Sequence, residues 1–261
     1  MPLAEKNGTM ALEKGPGLAE AYTSLGVVSL AYDWEFPLAE RRFRKALELN
    51  PHDAFTQHFL GHYYECIGRW PVTLAQMQTA LDLDKLSPIY GEDSGMDLLT
   101  IGRYQESAER LAGIVEQNSY YSFAFNVRAL ALEAIGKKDE SLAAADHAWT
   151  LPGKFVSAAS LSGIYRRQGR PDKAKEILSE LEGARKQGRY VSPLELAGTY
   201  FAVGQRQEGF LGLRDAIQEH SFNLFVALPD PVFDPVREDP EFAAILSPTH
   251  LSPATGAPFP G

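Results

Sequence analysis

Cysteine is nearly absent from this chain. The single Cys66 cannot build an internal disulfide framework, which excludes the stapled secreted scaffolds and fits a reducing compartment. Positive charge is short as well: 25 Lys and Arg stand against 34 Asp and Glu, for a net charge of −9. Neutralising phosphates needs the opposite balance, so no nucleic acid is expected as a partner. No apolar run reaches the length of a membrane span, and the opening residues 1–8 lack the basic-then-apolar plan of a signal peptide. A cytoplasmic protein with no membrane partner is the expectation. Catalytic signatures are missing too. There is no phosphate loop and no nucleophile elbow, Gly15-Pro16-Gly17 follows no strand pattern and reads as a turn, and no motif links Cys66 to a base. The expectation is a protein that is not an enzyme and carries no cofactor.

What the sequence does have is a period. With 261 residues, 44% of them hydrophobic, the chain can bury a continuous core. One sparse pattern begins at Ala19, Ala54, Pro88, Ser122, Phe155 and Tyr190, in steps of 33 to 35 residues. Glycine falls at position 15 of five repeats (Gly68, Gly102, Gly136, Gly169, Gly204), while the first uses Asp33-Trp34 and one extra residue. A period near 34 means stacked helical hairpins, each unable to bury its apolar face alone. The fold class is therefore all-α, an α-solenoid of about six hairpins. Pro37, Pro71 and Pro171 stand where a second helix begins, a position at which the missing N–H costs nothing.

Within each repeat, positions 4, 7, 8 and 11 of the first helix share one face and must pack inward. Tyr22, Leu25, Gly26 and Ser29 occupy them in the first repeat and Gln57, Leu60, Gly61 and Tyr64 in the second. Gly at position 8 permits close helix approach. Position 20 is small (Ala39, Thr73, Ser107, Ser141, Ala174, Gly209), and position 24 is bulky (Phe43, Met77, Leu111, Leu178, Leu213) except for Ala145. The basic runs Arg41–Lys45 and Arg166-Arg167, interleaved with acids such as Glu40 and Glu48, read as solvated outer faces.

Ala21-Tyr22-Thr23-Ser24-Leu25-Gly26, followed by Ala46-Leu47-Glu48-Leu49-Asn50-Pro51, resembles a tetratricopeptide repeat, and the other five units match more loosely. The resemblance spans about four fifths of the chain. It implies antiparallel helix pairs wound into a right-handed superhelix with a concave binding groove, faced by positions 2, 5, 9 and 12 of the first helices. Carried onto this sequence, those positions give Phe55, His58, His62 and Glu65; then Ile89, Glu92, Met96 and Leu99; then Phe123, Asn126, Leu130 and Glu133; then Val156, Ala159, Gly163 and Arg166. The carboxylate-clamp version of the fold needs Lys beside Asn, and only Asn126 is offered. An apolar groove dotted with acids implies a protein or peptide ligand with apolar anchors and some positive charge.

Two further stretches, Tyr32–Glu40 and Leu224–Phe242, are similar to the C-terminal repeat regions of bacterial multidomain regulators of winged-helix, cyclase or kinase type. The functional expectation is thus a non-catalytic interaction scaffold or adaptor holding a peptide or helix in its groove. The alternative is a detached sensory module of a bacterial signalling protein that responds to a small molecule or subunit.

The ends depart from the period. Residues 1–18 align in frame with the end of a second helix and read as a partial repeat or N-terminal cap, with Asn7-Gly8 as a turn signal; a chain beginning inside a repeat suggests descent from a longer protein. Residues 19–221 hold the six units. Residues 222–247 form the expected C-terminal cap, with Leu224, Phe225, Val226, Phe233, Val236, Phe242, Ile245 and Leu246 as its apolar face, and residues 248–261 read as a disordered tail.

Two details call for polar partners. His58 and His62 lie one turn apart with Glu65 three residues on, a set that could offer zinc two imidazoles and a carboxylate. The zinc-protease order is absent and no Cys pair completes a structural site, so they are read as groove-lining residues and no metal site is expected. Arg128, at a position filled by Leu25 and Leu60 in earlier repeats, should require an acid such as Asp97 or Glu92.

Overall fold

A computed structural model of the chain describes residues 2–251 and contains sixteen α-helices and no strand among them. The chain forms two compact units, the first up to Ser94 and the second from Gly95. The first holds α1 (Pro2–Lys14), α2 (Ala19–Ala31), α3 (Phe36–Leu49), α4 (Ala54–Cys66), α5 (Trp70–Leu83) and the opening of α6 (Pro88–Thr100). The second continues through α7 (Tyr104–Gln117), α8 (Ser122–Ala134), α9 (Lys138–Thr150), α10 (Ala158–Arg167), α11 (Pro171–Lys186), α12 (Pro193–Ala202) and α13 (Arg206–Gln218). Short helices α14 (Leu224–Ala227), α15 (Asp234–Arg237) and α16 (Pro240–Leu246) follow. No helix of the described residues is long and apolar enough to cross a membrane.

Each first helix packs on the helix that follows it: α2 on α3 and α4 on α5 in one unit, α8 on α9, α10 on α11 and α12 on α13 in the other. The chain is thus an all-α solenoid of helix hairpins. Four of the six repeat starts are the first residues of helices. The fifth and sixth differ. Gly153 takes φ 76°, so the chain after it passes through a 3-10 turn (Lys154–Ser157) before α10 begins. Helix α11 runs 16 residues, and only after Gly188 at φ 76° does Pro193 open α12.

The glycine at position 15 has a stereochemical reason. Gly68, Gly102, Gly136, Gly169 and Gly204 all adopt φ between 70° and 84°, the left-handed corner that side chains resist. The first hairpin turns instead through Trp34 at φ 57°, a buried indole in place of a glycine.

Position 8 meets position 24. A Cβ on Gly26 would sit 2.5 Å from Phe43, one on Gly61 3.0 Å from Met77, and one on Gly95 2.8 Å from Leu111. Phe43, Met77 and Leu111 are fully buried, so the small residue is what lets the large one in. Where position 20 is serine, its hydroxyl also ties the hairpin: Ser107 Oγ donates to the Gly95 carbonyl at 2.7 Å and Ser141 Oγ to that of Ala129 at 2.8 Å.

The basic run of α3 is held by acids, Arg44 with Glu40 at 2.8 Å and Lys45 with Glu48 at 2.9 Å. Arg167, by contrast, is half-buried and pairs with Glu133 at 2.7 Å, so it ties α10 to α8 rather than facing open solvent. Helix α1 runs unbroken through Asn7-Gly8, where a turn was expected. Gly8 is buried against α2, where a Cβ would lie 2.8 Å from Leu25, so here glycine serves close packing instead of chain reversal.

After α13 the chain folds back on the second unit in two ways. Helix α16 packs on α13, with Phe242 and Leu246 buried. The 3-10 turn Pro231–Phe233 packs on both α10 and α12. Leu224, Phe225, Phe233, Val236 and Ile245 are buried and Val226 is half-buried. Thr249 and Leu251 are also buried; the rest of the expected tail, 252–261, lies outside the described residues.

Candidate functional site

Helix α4 carries the first group of expected groove residues. Its start is fixed by Asp53, whose carboxylate accepts the Thr56 N–H at 3.1 Å. Phe55 is 48% exposed, whereas His58, His62 and Glu65 are buried at 4%, 5% and 6%. The polar three therefore do not line an open surface. His62 Nδ1 faces Glu65 Oε2 at 2.9 Å, and its Nε2 lies 3.1 Å from His58 Nε2. His58 Nε2 is also 2.6 Å from Asp93 Oδ2, which stands 3.6 Å from His62 Nε2.

Asp93 comes from the opening of α6 and was not among the sequence-nominated residues. It closes a triangle of two imidazole nitrogens and one carboxylate oxygen in the first unit. The rings of Phe59 and Tyr90 pack against His58, the first in a T-shaped and the second in a tilted arrangement, at centroid distances of 5.1 and 4.8 Å.

Electrostatics separates the three. Burial disfavours the Asp93 carboxylate, but the hydrogen bonds from His58 and His62 outweigh it and hold Asp93 below the usual carboxylate range. Burial likewise works against a charged His62, and Asp93 and Glu65 overcome it, raising His62 well above an ordinary imidazole. For His58, burial and then the neighbouring His62 win over Asp93, and its pKa falls. His58 Nδ1 is buried without a hydrogen-bond partner. Cys66, the residue after Glu65, has its thiol pushed well up by burial, which makes it a poor nucleophile.

The remaining nominated positions divide by burial. In the first unit Ile89 is 49% exposed and Glu92 is buried. In the second, Met96, Leu99, Asn126 and Leu130 are buried, Phe123 and Glu133 are half-buried, and Arg166 is exposed. Ile89, Met96, Leu99, Phe123 and Leu130 were expected to form one exposed patch; three of the five are core residues, with Met96, Leu99 and Leu130 in the second unit's hydrophobic cluster. At position 2 of the repeats, Phe55 on α4 and Ile89 on α6 are exposed, as is Val156 in the 3-10 turn before α10; other exposed large apolar residues, such as Leu86, Tyr120, Tyr190 and Leu211, lie at other positions.

In the second unit the position-5 and position-9 residues of the fifth repeat, Ala159 and Gly163, are covered by the chain itself. A Cβ on Gly163 would meet Val232 at 3.2 Å, and one on Gly198 would meet Val232 at 3.2 Å and Ala159 at 2.5 Å. Phe233 beside them joins a run of aromatic contacts with Phe201 and Phe242, at 6.1 and 6.0 Å. Glu195 of α12 accepts the Ala159 N–H at 2.9 Å. Burial, with Asp230 nearby, pushes its carboxyl up to about 8 against the help of the backbone N–H groups.

Arg128 does not find the acid expected for it. Among the described residues it forms no ion pair, and its buried Nε has no hydrogen-bond partner. The residue as a whole is half-buried, unlike the buried Leu25 and Leu60 at the same repeat position.

Hairpins of this length, with a left-handed glycine corner and a small residue at position 8 facing a large one at position 24, make the tetratricopeptide-repeat fold. Solved structures that share it include the following three. A tetratricopeptide repeat protein from Parabacteroides merdae matches at TM-score 0.59 and 14% identity over 87% of this chain and 90% of its own. PilF from Pseudomonas aeruginosa matches at 0.56 and 17% identity over 88% and 97%. The Cut9–Hcn1 hetero-tetramer of the APC/C matches at 0.61 and 16% identity, over 87% of this chain and 44% of the other. At these identities the likeness is one of fold. No family model matches the sequence, and no curated protein matches it.

Proposed function

We propose that this protein is a non-catalytic interaction scaffold that captures a protein or peptide through the first helices of its repeats. The observation that carries this reading is the recurrence of a large, half-exposed apolar side chain at one repeat position, Phe55 on α4 and Ile89 on α6 of the first unit, with Val156 at the same position before α10. Monomeric surfaces rarely keep such residues in register without a use for them. With a net charge of −9, the partner we favour presents apolar anchors flanked by lysine or arginine, as an amphipathic helix or extended segment would. Nucleic acid and lipid surfaces, both anionic, fit poorly. The lone Cys66 and the resemblance to repeat regions of bacterial regulators support a cytoplasmic, bacterial signalling scaffold.

The nominated set Phe55, His58, His62, Glu65, Ile89, Glu92, Met96, Leu99, Phe123, Asn126, Leu130, Glu133 and Arg166 is best divided. Phe55, Ile89, Phe123 and Arg166 make contact with the partner, and the buried members shape the helices that present them. Capture of interacting proteins by wild type and by Phe55→Ser/Ile89→Ser, compared by quantitative mass spectrometry, tests this. Loss of specific partners from the variant, at unchanged helical content and melting, supports the reading; an identical set of partners refutes it.

A further inference from the structure

We propose that His58, His62 and Asp93 form a zinc-binding site inside the first unit. Three atoms, His58 Nε2, His62 Nε2 and Asp93 Oδ2, define a triangle with sides of 2.6, 3.1 and 3.6 Å. In a tetrahedral zinc centre with bonds near 2.05 Å, neighbouring ligand atoms stand about 3.3 Å apart. The 3.1 and 3.6 Å sides bracket that spacing and the 2.6 Å side between His58 and Asp93 would open on binding; a point about 2 Å from all three atoms already exists just off the plane of the triangle, at the bond lengths zinc takes to imidazole nitrogen and carboxylate oxygen. All three ligand atoms lie within 4.8 Å of one another, so the residues are already assembled.

Proton bookkeeping points the same way. An imidazole nitrogen has either one lone pair or one proton. His58 Nε2 nevertheless makes close approaches to two groups, a carboxylate and a second imidazole nitrogen, and it can serve only one of them well. A cation accepts all three lone pairs at once and removes the conflict. Glu65 then has a different role from the one its sequence position suggested. Its carboxylate meets His62 Nδ1, which fixes the proton there and leaves Nε2 free to bind metal, the usual outer partner of a ligating histidine. Two imidazoles with a single carboxylate suit zinc better than magnesium or calcium, which favour all-oxygen shells. Three protein ligands leave a fourth position for water or a partner's side chain. Because His58 and His62 belong to α4 and Asp93 to the repeat that follows, the ion would clamp successive repeats.

The test uses untagged full-length protein stripped with a chelator, titrated with zinc chloride and followed by metal analysis, calorimetry and melting. Wild type should take up one zinc per chain, with a melting midpoint that rises with free zinc as ligand linkage requires. Cobalt(II) in place of zinc should give tetrahedral visible bands without a thiolate charge-transfer band. Asp93→Asn, which keeps size and polarity, should lower zinc affinity by about 100-fold, and Glu65→Gln, acting through His62, by about 10-fold. Should Asp93→Asn fail to fold, wild-type stoichiometry, the cobalt spectrum and Glu65→Gln carry the decision. Substoichiometric zinc in wild type, equal affinity in wild type and both variants, or a thiolate band implicating Cys66 would each overturn the site.

Discussion

Positions 5 and 9 of a first helix are filled in opposite ways in the two units. In the first, His58 and His62 occupy them and are buried with Asp93 and Glu65. In the second, Ala159 and Gly163 occupy them, and Val232 from the C-terminal segment sits on the space they leave. The hairpin frame is the same in both, with small position-8 residues against large position-24 ones. What differs is the face that the frame leaves unassigned. Side chains too small to fill it invite a segment of the same chain, at a gain of apolar burial. Ionisable side chains on it must find protons, hydrogen bonds or a cation, because an unsatisfied buried charge is costly. A repeat scaffold thus fixes its inner contacts and leaves the other face open to very different chemistry.

If that comparison is right, the largest effect should come from removing the second unit's filler. Phe233→Ala, which breaks the contacts with Phe201 and Phe242, should cost about 3–5 kcal/mol in denaturant unfolding. Leu60→Ala, buried in the first unit's core, should cost about 2–5 kcal/mol; hydrogen exchange should then show whether the loss stays within residues up to Ser94. Gly198→Val puts side-chain atoms where Ala159 and Val232 already lie, and overpacking of this kind costs about 1–3 kcal/mol. Faster exchange confined to residues near 230–233 would confirm that the segment has been dislodged.

A fourth prediction concerns pH. Glu195 moves from an ordinary 4.5 to about 8 when folded, so across that window the folded state holds the extra proton. Stability should therefore fall as pH rises from about 4.5 to about 8 and level off beyond. The groups facing Glu195 are the Ala158 and Ala159 N–H groups and the Asp230 carboxyl, itself raised by burial. Glu195→Gln should flatten the melting midpoint over this range; an unchanged slope would assign the dependence elsewhere. The smallest effect is expected at Phe55→Ala, whose ring is half in solvent: stability should change far less than for Leu60→Ala while partner capture weakens. Equal melting losses would mean Phe55 is a packing residue.

The hairpin frame was legible because its requirements are local and severe. Only glycine turns the left-handed corner cheaply, so Gly68, Gly102, Gly136, Gly169 and Gly204 mark their turns in the sequence. The Gly26–Phe43 and Gly61–Met77 contacts follow from helical spacing within one repeat. The cluster was only half legible. His58 and His62 are neighbours on a helix face, but Asp93 stands at position 6, off the face assigned to partners. One signal did exist, since 35 residues separate His58 from Asp93, one repeat period, at which residues stack. Burial of Met96, Leu99 and Leu130 was missed because a periodic pattern tells which face a residue occupies and not what covers that face. Val232 lies in a segment without a period, so no register could have paired it with Gly163 or Gly198.

Trp34 gives the first hairpin something the other five lack. An indole at φ 57° is a fluorophore built into a chain reversal, shielded from solvent while the hairpin is closed. Opening that corner should shift its emission to longer wavelength, so the fraying of the opening repeat can be watched by light as the difference between wild type and Trp34→Phe, in which only Trp70 and Trp149 emit.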